Sequence, residues 1–319
     1  MATTEIASTT SQEIARAMPA DVWEAYFREL DAAPKTVSTY RRALKRYRAY
    51  LQTVGLEVTQ TTRETIIDYR AHLEGEGLKP TTVNAYLSAV RSFYQWLAAC
   101  RFYPDVTAGI KNRKVAGRAS SKDSLTLDQA RRVLDDSDEP KTVKELRDHA
   151  IIELMLRRGL RCIEVSRADV QDIRAVNGEA VLFVQGKGRA DKSEFVVLGD
   201  EVLQPLLAYL DARGHAEPEE PLFESTSNRN CGGRMSTTSI SSIAKSRMEE
   251  CGLKSARLTA HSLRHTAVTF SLLGGASVQD AQAMARHADV STTMIYAHNI
   301  DRAKAVGERS VDDYLAGVC

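Results

Sequence analysis

Residues 260–270 read AHSLRHTAVTF, and residues 285–298 read ARHADVSTTMIYAH. The first run sets His261 and Arg264 three residues apart, one helical turn, so both project from one face. The second places His287 nine residues before Tyr296. The periodicity predicts helices over about 262–273, 277–285 and 291–297, and a last one near 301–315. Upstream, GLRCIEV (159–165) puts Arg161 just after a glycine that can end a helix, with Glu164 one turn beyond to hold it. Between these blocks, VLFVQG (181–186) and EFVVLG (194–199) break the helical pattern. Both are β-rich and predict an antiparallel hairpin or small sheet edge, with Lys187, in Gly186-Lys187-Gly188, at the hairpin tip. Lys192 lies on the same hairpin. Each piece is common by itself; the order Arg, Lys, His-x-x-Arg, His, Tyr carries the information.

The rest of the second half is mainly helical, with helices near 126–136, 143–158, 200–212 and 237–251. The first half reads as four helices. Val22, Ala25, Tyr26 and Leu30 share a face in 21–30. Val37, Tyr40, Leu44, Tyr47 and Leu51 share one in 36–51. A third helix covers about 63–74, broken by Gly75 and Gly77, and Pro80 opens a fourth with its stripe at Val83, Leu87, Val90, Tyr94 and Leu97. Four short-looped helices make one compact domain. The expected division is a tail at 1–19, a helical domain at 20–102, a linker at 103–123 and a second domain at 124–319.

The 319 residues carry a formal net charge of +1. The charge is uneven: residues 1–123 are net +5 and residues 124–319 net −4. A basic first half points mildly to a polyanion. The five cysteines, Cys100, Cys162, Cys231, Cys251 and Cys319, are scattered and never form CxxC. That argues against a disulfide framework or a zinc site and fits a reducing compartment. No stretch is apolar and long enough for a signal peptide or a membrane span, so a cytoplasmic protein is expected.

Cutting a phosphodiester without water or metal needs a side-chain nucleophile, cations on the non-bridging oxygens and an acid for the leaving oxygen. Arginine suits the second task because its planar fork gives two parallel charge-assisted hydrogen bonds. The second half contains such a set.

In these residues the sequence resembles the tyrosine recombinase, or phage integrase, family, in its Xer-like two-domain form. GLRCIEV resembles the box around the family's first catalytic arginine, and GKGRADKSEFVVL its lysine-bearing hairpin. HSLRHTAVT resembles its His-x-x-Arg box, and ARHADVSTTMIYAH the box ending in the nucleophile. TVSTYRRALKRYRAYL and KPTTVNAYLSAVRSFYQWL resemble its helical, SAM-like core-binding domain. The similarity spans about residues 20–315. The implied fold is mainly α with a small antiparallel sheet: a core-binding domain followed by a catalytic domain. The implied chemistry makes Tyr296 the nucleophile forming a 3′-phosphotyrosyl bond. Arg161 and Arg264 would grip the phosphate, and His261 would hydrogen-bond it and help accept the tyrosine proton. His287 would bond a non-bridging oxygen, Lys187 would protonate the leaving 5′ oxygen, and Glu164 would support Arg161. No cofactor or metal is implied. The family usually has Leu-Gly before the third-box histidine, where this chain has Ala285-Arg286. His265 and His298 match positions that often hold histidine and are expected to support the site.

The resemblance further implies that two domains clamp double-stranded DNA. Arg41, Arg42, Lys45, Lys79, Thr81, Thr82, Asn84 and Arg91 are the expected contacts in the first half, and Arg286 in the second. The last helix, with Val306, Val311, Tyr314 and Leu315, would enter a neighbouring subunit. That would give a homo-tetramer, or a hetero-tetramer with a second recombinase, on paired inverted-repeat core sites. Integration or excision, inversion and dimer resolution all use this chemistry. A non-catalytic DNA-binding relative and a type IB topoisomerase-like enzyme are the alternatives.

Overall fold

The computed structural model describes residues 17–114, 123–135, 142–186, 188, 189, 191–304 and 306–316; the side chains at 299 and 301–309 lie outside the description. The chain divides into two units, Met1–Gly117 and Arg118–Cys319.

The first unit is built on α1 (Val22–Glu29), α2 (Pro34–Thr53), α3 (Arg63–Gly75) and α4 (Pro80–Ala99). Proline at N1 starts α2 and α4, where its missing N–H costs nothing. Thr62 caps α3 by accepting from the Thr65 amide. The apolar stripes meet in a core rich in aromatic rings. Trp23 stacks on Phe93 with centroids 4.5 Å apart, and Tyr26 meets Phe93 edge-on at 5.4 Å. Tyr47, Tyr69 and Tyr94 are buried there, and the hydroxyls of Tyr47 and Tyr94 are 3.0 Å apart.

The segment read as a linker is, up to Lys114, attached to this unit. Ile110 is buried in its core. Asn84 donates to the Arg113 carbonyl at 2.9 Å and accepts from the Arg113 amide at 2.8 Å. Arg91 donates to the Ile110 carbonyl at 3.0 Å. Residues 115–122 lie outside the described residues.

The second unit opens with α5 (Leu127–Leu134) and α6 (Val143–Arg157), each started by a Thr capping box. The short α7 (Cys162–Arg167) leads into a three-stranded antiparallel sheet of β1 (Ile173–Val176), β2 (Glu179–Val184) and β3 (Glu194–Val197), in sequence order. Leu182 faces Ile173 on one side and Val196 on the other, which fixes the register. The hairpin of β2 and β3 matches the expectation; β1 was not expected. Then come α8 (Asp200–Arg213), α9 (Thr237–Glu250), α10 (Ala260–Leu273), α11 (Val278–Ala285), α12 (Val290–Lys304) and α13 (Val306–Leu315). Helices α6 and α8 pack closely, and the apolar faces of α6, α9 and α10 meet β2 in one core. No described helix is long and apolar enough to cross a membrane.

Candidate active site

Helix α6 ends at a turn that favours glycine. Gly159 has φ 63°, and a Cβ there would sit 3.4 Å from the Ala267 side chain on α10. The chain reverses closely against α10 and delivers Arg161 to the N-cap of α7. Glu164, fully buried on α7, accepts from the Arg161 amide at 2.8 Å and from its Nη1 at 2.7 Å. One carboxylate thus fixes both the backbone and the fork of Arg161.

Helix α10 carries His261, Arg264 and His265. The Arg264 guanidinium is buried, with its two Nη atoms donating to the carbonyls of Gly159 and Ala285. Its Nε is buried with no hydrogen-bond partner. Burial and the like charge of Arg161 pull Arg264 down to about 9. A guanidinium still keeps its proton at neutral pH. The site therefore holds cationic charge that an anion would relieve.

Tyr296, on α12, is buried beside Val268 and Ala285. Its ring lies 4.9 Å from that of His265 and stacks 6.3 Å from that of His287. His261 is exposed and meets His265 edge-on at 4.7 Å. Burial raises the Tyr296 phenol, and Arg264 and Arg161 pull it back. His287 donates to or accepts from the Thr293 hydroxyl at 2.9 Å. Burial, then Arg264 and Arg161, push His287 down to about 4. Burial, then His261, do the same to His265. Both rings are neutral at pH 7.

Arg161, His261, Arg264, His287, Tyr296 and Glu164 are thus brought together from α7, α10, α12 and the turn before α12. Lys187 lies outside the described residues. Lys192 pairs with Asp169 at 2.5 Å and also with Asp172, which commits it to the base of the sheet. His265, expected only as support, is in ring contact with the tyrosine; its place one residue after Arg264 is the sequence signal.

The expected DNA contacts divide. Arg42, Lys45, Lys79 and Thr81 are exposed, and Thr82 is partly so. Arg41 is exposed but pairs with Glu24 and lies 4.2 Å over the Phe27 ring. Asn84 and Arg91 are engaged with residues 110–113. Arg286 is at odds with the expectation of a DNA contact. Its side chain is 3% exposed and pairs with Glu164 at 2.8 Å. A charge surrounded by protein acceptors is not available to a phosphate outside.

A phenol held among guanidinium and imidazole groups is the side-chain set that nucleophilic attack on a phosphodiester requires. Residues 123–302 match the model of the phage integrase family, and residues 21–100 match its N-terminal SAM-like domain. The chain belongs to the phage integrase family. It is 31% identical over 283 residues to a tyrosine recombinase XerD of Bifidobacterium longum, covering 85% of this chain and 88% of that one. A XerD of Staphylococcus epidermidis is 29% identical over 268 residues, covering 82% and 87%. Among solved structures, XerH site-specific recombinase bound to palindromic difH substrate, a post-cleavage complex, shares the fold with a TM-score of 0.71. The identity is 19%, covering 85% of this chain and 80% of that one. A lambda integrase tetramer bound to a Holliday junction gives 0.62 at 18% identity, covering 85% and 76%.

Proposed function

We propose that this chain is a site-specific recombinase in which Tyr296 attacks a DNA phosphodiester. The phenolic oxygen bonds to phosphorus, the bond to the 5′ oxygen breaks, and a 3′-phosphotyrosyl link preserves the energy for rejoining. Arg161 and Arg264 hold the non-bridging oxygens, and His287 adds a hydrogen bond. His261 takes the tyrosine proton. Lys187 delivers a proton to the departing 5′ oxygen; the double carboxylate pairing of Lys192 supports this assignment over its neighbour. Rejoining runs the same steps backwards with a new 5′ hydroxyl. The observation that carries the reading is the contact of Tyr296 with the cluster around Arg264, whose buried Nε lacks a partner.

DNA is met by the exposed cations Arg42, Lys45 and Lys79, and mostly through its backbone. The partner is double-stranded DNA with paired inverted-repeat core sites, met in the cytoplasm by a tetramer of this chain. Helix α13 supports that assembly: Val311, Tyr314 and Leu315 are 57%, 75% and 79% exposed, an apolar strip suited to a second copy.

The test starts with duplexes selected from a random pool by binding to the full-length chain. Nicked near the cleavage point, such a duplex traps a covalent adduct with the wild-type chain. Tyr296→Phe binds the duplex equally and forms none. Adduct formation by Tyr296→Phe would remove this tyrosine from the mechanism.

A further inference from the structure

The turn between α11 and α12 is made by an arginine in the left-handed region: Arg286 has φ 52° and ψ 48°. Glycine takes this conformation freely, whereas a side chain is strained there. The side chain must therefore gain something from its place, and its contacts say what. The guanidinium is buried against Glu164, with Nη2 2.8 Å from Oε2 and Nε 3.5 Å from Oε1. Nη1 donates to the Met284 carbonyl at 2.6 Å, and Nη2 also lies 3.4 Å from the Gly159 carbonyl, which Arg264 shares. In return, Nη2 of Arg161 donates to the Arg286 carbonyl at 3.2 Å. One residue thus joins the turn before His287 to both arginines.

We propose that Arg286 is a positioning residue of the cleavage site. Its fork braces Glu164, and Glu164 in turn aims Arg161 at the scissile phosphate. The reaction is unchanged; what is new is an inward-facing third guanidinium that sets the geometry of the first. A lysine could supply the charge but not the two-point grip on the carboxylate. The inference rests on the function proposed above.

The test uses the full-length chain and the selected nicked duplex. Arg286→Gly keeps the backbone conformation and removes the fork, Arg286→Lys keeps the charge, and Glu164→Gln removes the carboxylate charge. At saturating DNA, Arg286→Gly should form adduct about 10- to 100-fold more slowly than wild type, the usual scale for an outer partner of a charged site. The final adduct yield and the DNA affinity should stay at wild-type values, and Arg286→Lys should recover part of the rate. Combined with Glu164→Gln, Arg286→Gly should add little further slowing, because both act through one carboxylate. A wild-type rate for Arg286→Gly overturns the inference. So does a reduced yield at unchanged rate, which marks a merely structural role, or a double variant whose losses multiply. If wild type itself forms no adduct, the proposed function falls and this inference with it. If wild type forms adduct and Arg286→Gly matches it, only the inference fails.

Discussion

Tyr47, in the aromatic core of the first unit, and Tyr296, on α12 of the second, are both closed off from solvent, at 0% and 7% exposure. Burial raises both phenols. Around Tyr47 the phenol neighbours add to that rise: Tyr94 shares its hydrogen bond and discourages a phenolate. Around Tyr296 the neighbours oppose it, because Arg264 and Arg161 favour the charged form. A tyrosine in a core is inert because burial and its phenol neighbours outweigh the one hydroxyl, that of Thr61, that favours its anion. A tyrosine beside two guanidinium groups is ready to become a nucleophile when a phosphate arrives.

The two hairpin lysines are proposed to differ in role. Lys192 is satisfied by two aspartates, as Tyr47 is by its partner. Lys187→Ala should slow cleavage of the selected duplex by about 10²- to 10⁴-fold, the range for a lost general acid. Replacing the leaving oxygen by sulfur, which departs without a proton, should restore the rate. Lys192→Ala should leave cleavage within about tenfold and lower the melting temperature instead. Equal losses from both would dissolve the distinction. Arg264→Lys keeps the positive charge near Tyr296 but loses the planar fork that would hold the phosphate. It should reduce the adduct rate by about 10²- to 10³-fold, on the scale of losing a preorganised donor. A rate near that of wild type would mean that guanidinium groups do not distinguish the two tyrosines.

A gentler effect follows from the histidines around Tyr296. His265 and His287 are held near 4 in the folded chain, against 6.5 for an ordinary histidine. Between these values the unfolded chain binds more protons than the folded one, so stability falls as pH falls through that window. Thermal melting followed from pH 7 to pH 4 should show the decline, and His287→Gln should shallow it. An unchanged slope would mean that His287 is not kept neutral by its site. The smallest change is expected at the other end of the comparison. Tyr47→Phe should cost about 1 kcal/mol in denaturant unfolding, one buried hydrogen bond, and leave the adduct rate alone.

Much of this was legible in the residues. Proline at 80 and the stripe through Leu44 and Tyr47 located α4 and α2, because helix starts and apolar periods are local. The β-rich runs before and after 187 located β2 and β3. Strand β1 escaped because IRAV is only four residues long and interrupted by Arg174. Its signal was Asn177-Gly178, two residues at positive φ that form the hairpin turn to β2. In the site, the order of residues identified the participants, but the inward turn of Arg286 could not be read. Whether an arginine faces DNA or a buried carboxylate depends on Glu164, which is 122 positions away in the chain and adjacent only after folding. The engagement of Asn84 and Arg91 with residues 110–113 was hidden for the same reason.

The stacking of Trp23 on Phe93 has a practical side. Both tryptophans of the chain, Trp23 and Trp96, belong to the first unit, and the second has none. Indole fluorescence is therefore a native reporter that sees only the helical amino-terminal half. Its quenching or shift on adding duplex, or on heating, tracks that half alone, so the engagement or melting of the first unit can be followed with no label attached.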